Sequence, residues 1–218
     1  MTLEIVSNLV EKVHFYYPIG IPQIYKVYPG YKMMEKICHD KILGVQTSKQ
    51  TPWTKAVEQI DNLSLDGTLY DLNYLQFPNY SASVGAKKEL TQGIEITKSI
   101  ELNVSLLTKY YTIFFLDTFR FLDFGSEGPI PIYPMKMIAY LKMRPTNISL
   151  DPILKIKDIV ENCFDGYYFV QHDVLFSYKM DGSSIFGSME DYQSGQLHSL
   201  YEFLFSNHLP TEEITVLE

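Results

Sequence analysis

Residues 94–124 read IEITKSIELNVSLLTKYYTIFFLDTFRFLDF, and their patterning decides the fold. Ile94, Ile96, Ile100, Leu102, Val104 and Leu106 alternate with Glu95, Thr97, Ser99, Glu101, Asn103 and Ser105, and only Lys98 interrupts the apolar set. A period of two is that of a strand with one face on a core and the other in water. From Lys109 to Phe124 the chain is apolar on both faces for most of its length, as in a strand lying deeper in the same sheet. A short turn near Thr108 joins the two, which predicts a long antiparallel hairpin at the centre of a sheet.

Such a sheet has to be covered, and helical periodicity shows where the cover comes from. Thr51-Pro52 is a helix start, with a capping hydroxyl and a proline where its missing N–H costs nothing. Trp53, Ala56, Val57, Ile60 and Leu63 then share a face of a helix over 51–64, stopped by Asp66-Gly67. Asp151-Pro152 opens a second over 151–164, with Ile153, Ile156, Val160, Cys163 and Phe164 on one face. A last helix over 191–208 carries Leu197, Leu200, Tyr201, Leu204 and Phe205 and ends before Pro210. Shorter amphipathic helices are predicted at 3–13 and at 30–43, the latter ending at Gly44 with Cys38 facing inward. Strands are predicted at 68–77 and 167–180, with a short return strand at SSIFGSM (183–189). The prolines ahead of 135–143 favour strand over helix there.

The expected architecture is one α+β domain over 1–218. It is built on a mostly antiparallel sheet of five to seven strands, with helices 51–64, 151–164 and 191–208 packed mainly on one face. The two cap-helix-glycine-strand segments, each preceded by PIGI or PIPI, match either a duplicated unit (18–109 and 129–208) or a connection that recurs in many αβ chains.

At 218 residues, 46% hydrophobic and 20% charged, the chain has the composition of a globular protein able to bury a sizeable core. No apolar run approaches the ~20 residues of a spanning helix. The opening MTLEIVSNLVEKVHF has no basic, apolar, small-residue signal pattern, so cytoplasm is the expected location. Two cysteines, Cys38 and Cys163, make neither a disulfide framework nor a cysteine zinc site. Asn-x-Ser sequons begin at Asn62, Asn79, Asn103 and Asn147, and carry little weight without an export signal.

Charge divides unevenly. Residues 1–109 hold eleven lysines and eleven acids, whereas 110–218 hold seven Lys/Arg against fifteen acids, so the whole excess of −8 lies in the second half. That field repels nucleic acid and anionic lipid and attracts basic partners. Lys87-Lys88 is the only adjacent basic pair, too little to hold a phosphate backbone.

Candidate chemistry centres on ENCFDGYYFVQHDVLF (161–176). In a regular strand His172 and Asp173 face opposite ways, and Cys163 in apolar surroundings is poorly ionised, so no catalytic trio is expected. A turn at Gln171-His172-Asp173 would undo that conclusion. His198 and Glu202 have the spacing of two ligands on one helix face, but no third is near, so an exposed ion pair is expected and no metal or cofactor. FGSEG (124–128) matches no phosphate loop and no nucleophile elbow, leaving Glu127 as a polar contact.

Seventeen tyrosines is a high count, and Tyr16, Tyr17, Tyr25 and Tyr28 fall in one proline-rich segment. Tyrosine suits interfaces because it buries a large ring and keeps a polar tip. The expected function is that of a non-catalytic protein that binds another, basic protein. Its expected contacts are those tyrosines with Glu127, Asp181, Glu190, Asp191 and Glu202. An inhibitor or immunity-type neutraliser of a basic enzyme such as a nuclease toxin fits that logic. The alternative is an enzyme with a dispersed acid/base site involving His172, Asp173 and Glu127.

Overall fold

A computed structural model describes residues 2–20, 27–47, 50–73, 76–91, 94–121, 137–141, 151–187, 195–206 and 214–217. Its helices are α1 (Thr2–Tyr16), α2 (Pro29–Gln46), α3 (Pro52–Asp61), α4 (Asp151–Cys163), α5 (His172–Ser177) and α6 (Leu200–Leu204). The strands are β1 (Thr68–Asp71), β2 (Asn79–Thr91), β3 (Ile94–Ser105), β4 (Tyr110–Phe121), β5 (Met137–Leu141), β6 (Tyr168–Phe169), β7 (Lys179–Met180), β8 (His198–Ser199) and β9 (Ile214–Leu217).

The hairpin forms where its patterning places it, with β3 and β4 paired antiparallel from Ile94↔Phe121 to Val104↔Tyr111. Around it the main sheet runs β1-β2-β3-β4-β5-β9, and β6 adds to β4. The β4–β6 and β5–β9 pairs are parallel and the others antiparallel. With α-helices interspersed among these seven strands the chain is an α+β protein. Residues 137–141 are the strand that the prolines before them favour.

Among the described residues, the strand predicted over 68–77 is extended only at 68–71, those of the return strand predicted at 183–189 form no strand, and three further elements change. The strand over 167–180 breaks into β6, α5 and β7, because pairing with β4 extends only from Tyr168 to Phe169. Beyond it, helical spacing sends Leu175 and Phe176 together into the core. The long helix over 191–208 is helical only at α6. Residues 195–197 are not helical, β8 precedes Leu200, and 191–194 and 207–208 lie outside the described residues. Helix α2 runs through Gly44 to Gln46 instead of stopping there. One strand, β2, has no periodic signal at all: NYSASVGAKKELT is small and polar, and it is extended because it pairs with β3 along most of its length.

Helices cover both faces of the sheet, not mainly one. Tyr111 and Ile113 of β4 enter a core with Trp53, Ala56 and Ile60 of α3 and Ile156 and Val160 of α4. Phe114 and Leu116, on the opposite face of the same strand, enter a second core with α1, α5 and α6. Helices α3 and α4 thus share a face as expected, while the 191–208 segment contributes to the other.

The second core also covers the polar side of β3, which the alternation assigned to water. Ser99, Glu101, Asn103 and Ser105 are all buried. Their polar atoms are met internally, as buried groups must be. Ser83 and Ser99 donate to Glu101 Oε1 at 2.5 and 2.6 Å, and Asn79 Nδ2 donates to Asn103 Oδ1 at 3.0 Å. Ser105 Oγ donates to the Leu204 carbonyl at 2.7 Å, tying α6 to the sheet. Two of the four sequon asparagines are therefore locked to each other inside the fold.

Burial raises the Glu101 pKa, and the two serine hydroxyls oppose the shift. A carboxyl whose folded pKa exceeds its unfolded value binds more protons folded than unfolded between the two. Stability is then lost as pH rises through that window. Glu101→Gln removes the loss. The variant is expected to gain stability over the wild type at pH 8, with the gap shrinking toward pH 4, as read by urea unfolding at both pH values.

Helices α1 and α2 cross where a Cβ on Gly30 would lie 2.0 Å from the Phe15 carbonyl oxygen, with backbone on the opposing side. Gly30→Ala is expected to force the helices apart and cost about 1–3 kcal/mol, measured as a lowered urea midpoint.

Candidate functional site

Helices α2 and α3, with β1 and the residues that follow it, enclose a cleft of about 760 Å³, within the range of ligand sites. Its charged lining is Asp40, Lys41, Glu58 and Asp71, with Asn73 and Tyr80 beside them.

Each wall is fixed by a local bond. Thr51 caps α3: its Oγ1 accepts from the Thr54 N–H, the Thr54 Oγ1 accepts from the Thr51 N–H, and Pro52 follows the cap. This rigid first turn aims Trp53 into the core, where it is fully buried and stacks on Tyr80 at 5.3 Å. The indole N–H donates to Asp71 Oδ1 at 3.1 Å, and the Asn73 backbone N–H donates to the same oxygen at 2.9 Å. Asp71 is thereby held at the cleft wall with one oxygen occupied.

Lys41 lies on the buried side of α2, 5% exposed, and its ammonium donates to the Phe77 and Asn79 carbonyls at 2.8 and 2.9 Å. It clips the helix to the start of β2. Burial depresses its pKa to about 8, opposed by the nearby Cys38 and Asp71. Cys38, one turn earlier on α2, lines a second cavity of about 430 Å³, and burial pushes its thiol up to about 11. It is a protonated core side chain at neutral pH.

The sequence-nominated residues fall elsewhere. Tyr16 and Tyr17 are buried, Tyr17 donating to the Phe203 carbonyl at 2.7 Å, so neither is a surface anchor. Tyr28 is half-buried and donates to the His14 carbonyl. Asp181 is exposed, and its Oδ2 accepts from the Gly195 N–H. Glu202 is buried too: its Oε2 accepts from the Ser199 N–H and hydroxyl, both at 2.8 Å, in a capping box that starts α6. His198 Nδ1 lies 3.7 Å from Glu202 Oε1, also buried, in place of the exposed helical pair expected. Serine three residues before glutamate was the available signal. Tyr25, Glu127, Glu190 and Asp191 lie outside the described residues.

The turn at Gln171-His172-Asp173 is present, and it overturns the strand alternation that separated His172 from Asp173. Both stand in the first turn of α5. The His172 ring packs on Phe114 and Phe176 at 5.5 and 5.9 Å, and Asp173 Oδ1 accepts from the Val174 N–H. Cys163 packs on the core of α3 and α4, whereas Phe114 and Phe176 belong to the core across the sheet. Cysteine and histidine thus lie on opposite faces of the sheet. Among the described residues, no group of three or more His, Cys, Asp or Glu side chains is placed to hold a metal ion.

Compared with protein-family models, curated proteins and solved structures, the chain matches none of them.

Asp71 and Asn73 are two residues apart, but no linear spacing joins them to Lys41 on α2. The one legible component was the Thr51-Pro52 helix start.

A lysine whose folded pKa is depressed binds fewer protons folded than unfolded between about pH 8 and the ordinary lysine value of ~10.4. Its contribution to stability therefore increases as pH rises across that window. Lys41→Met is expected to destabilise the chain by about 1–3 kcal/mol by stranding two carbonyls. The gap to wild type should widen from pH 7.5 to pH 9.5 in paired urea titrations.

Proposed function

We propose that the chain is a cytoplasmic, non-catalytic binding protein whose partner is a basic protein, and that the cleft between α2 and α3 receives a positively charged group of that partner. The observation that carries this is the state of the cleft's polar groups. Lys41 is committed to backbone carbonyls, Thr51 and Thr54 to each other, and one Asp71 oxygen to an indole and an amide. These bonds make a fixed scaffold, without the hydrogen-bonded nucleophile and base of covalent catalysis. Around it Asp40 and Glu58 are exposed and make no ion pair among the described residues. Three carboxylates against one ammonium give the cleft a negative field, which speeds encounter with a cation and is weakened by salt.

An inhibitor or neutraliser of a basic enzyme remains the form of this function that the negative field fits. No described helix is long and apolar enough to cross a membrane.

The test uses the native host's lysate passed over immobilised wild-type chain and over an Asp40→Asn/Glu58→Gln double variant, at ~50 and ~300 mM salt, a range over which screening shortens by more than half. The expected result is a basic protein retained by the wild type at low salt, lost at high salt and lost on the variant. Equal retention by both chains at both salt concentrations would overturn the proposal.

A further inference from the structure

Three aspartates, Asp66, Asp165 and Asp181, are each followed by a glycine of positive φ. Such a pair is open to one intramolecular reaction. The glycine nitrogen and the aspartate carboxyl carbon can close a five-membered ring, and a residue without Cβ leaves the approach clear. The structure separates the three pairs. Asp66 is paired with Lys87, and a Cβ on Gly67 would lie 2.4 Å from the Gly85 carbonyl oxygen, so backbone presses on that turn. Asp181 Oδ2 accepts from the Gly195 N–H at 3.0 Å, while Gly182 is buried and its carbonyl accepts from the Gly20 N–H at 2.7 Å. Asp165 is held by neither device. It is exposed and makes no hydrogen bond or ion pair through its carboxylate among the described residues. Gly166 is exposed beside it, and what a Cβ there would meet is the flexible end of the Lys109 side chain. The Tyr167 N–H closes the turn across its base by donating to the Phe164 carbonyl at 3.2 Å, which leaves the Asp165 side chain free to rotate toward its own backbone.

We propose that the Asp165-Gly166 turn is a site of spontaneous isoaspartate formation in the folded chain. The Gly166 nitrogen bonds to the Asp165 side-chain carboxyl carbon, the amide proton and the carboxyl hydroxyl leave together as water, and a succinimide closes. Water then opens the ring at one of its two carbonyls. Opening at the side-chain carbonyl restores aspartate, and opening at the main-chain carbonyl leaves the chain running through the Asp165 side chain as isoaspartate. The water lost is regained, so no oxidant, reductant or cofactor enters. The product carries one more backbone carbon between α4 and β6. Two residues on, the Tyr168 N–H donates to the Lys109 carbonyl at 2.9 Å, and Tyr167 and Phe169 pack on the core of α3 and α4. Extra length at the turn loosens that seat of β6 on β4.

The carboxyl has to be protonated to leave as water, so the reaction is expected to run faster at about pH 5 than at about pH 8, further above the ordinary aspartate value of ~3.9. The full chain is held folded for several weeks at each pH and digested, and isoaspartate is located in the separated peptides by electron-transfer fragmentation. The expected result is accumulation at Asp165, faster at the lower pH, with Asp66 and Asp181 staying at their starting level. Asp165→Glu keeps the charge but offers only a six-membered ring, and is expected to abolish the change. Asp165→Asn is expected to react faster than the wild type, losing ammonia in place of water and gaining the mass difference between an amide and an acid. Aged wild type should then unfold at a lower urea midpoint than equally aged Asp165→Glu. Equal conversion at all three pairs overturns the proposal, because sequence alone would then decide the site. Conversion at Asp165 seen only in urea-unfolded chain, or an Asp165 peptide that stays unchanged, overturns it as well.

Discussion

The structure depends on β3 being buried on both sides. A strand with one apolar and one polar face is ordinarily stable with the polar face in water, where its side chains cost nothing to solvate. Here that face lies under the second core, so every polar atom on it needs a protein partner. The solution is a row of short side chains that satisfy one another across strands: serines around Glu101, Asn79 against Asn103, and Ser105 between the sheet and α6. Ser105 Oγ also accepts from the Leu107 and Thr108 N–H groups, closing the tight turn into β4. One hydroxyl thus sets the turn of the central hairpin and the seat of α6. The small residues of β2, Ser81 and Ser83 among them, leave room for this layer.

What was legible in the sequence was local. The central hairpin followed from period two, α3 and α4 from a capping residue with proline and a clean apolar stripe. Those signals arise from backbone geometry within a few residues and need no tertiary partner. The rest was decided by tertiary contact. β2 lacks strand-forming side chains and owes its extension to β3. The apolar residues of 168–176 fit a two-residue period as well as a helical one, and the short pairing with β4 chose the latter. Burial of Tyr16 and Tyr17 likewise could not be read from their type, since a tyrosine serves a core as readily as a surface when its hydroxyl finds a carbonyl.

The cleft was invisible for a related reason, because its polar groups are committed to holding the fold together. Lys41 clips α2 to β2, and Asp71 receives the buried indole of α3, so each looks structural from its own bonds. Their joint effect is to hold a carboxylate in a fixed place on the cleft wall. Preorganisation of that kind is what converts modest contacts into affinity.

The division of net charge along the chain points away from the first half, which is neutral, yet the acidic cleft lies there. Three lysines of that half pair away from the cleft: Lys87 with Asp66, Lys88 with Glu95 and Lys98 with Glu89, all on or beside β2 and β3. Within the cleft lining itself Asp40, Glu58 and Asp71 outnumber Lys41, so the local sum is negative although the half sums to zero. In the second half, Asp151, Asp158 and Asp165 with Glu161 are exposed along α4 and just past its end, and Lys157 lies 3.9 Å from Glu161. Those carboxylates face high-dielectric solvent, where an isolated charge acts weakly beyond about 8–10 Å. Asp40, Glu58 and Asp71 are exposed as well, and what sets them apart is that they line one cleft, where their fields add. Where the acids converge in space, not how they divide along the chain, sets the field of the cleft, and that convergence lies in the balanced half.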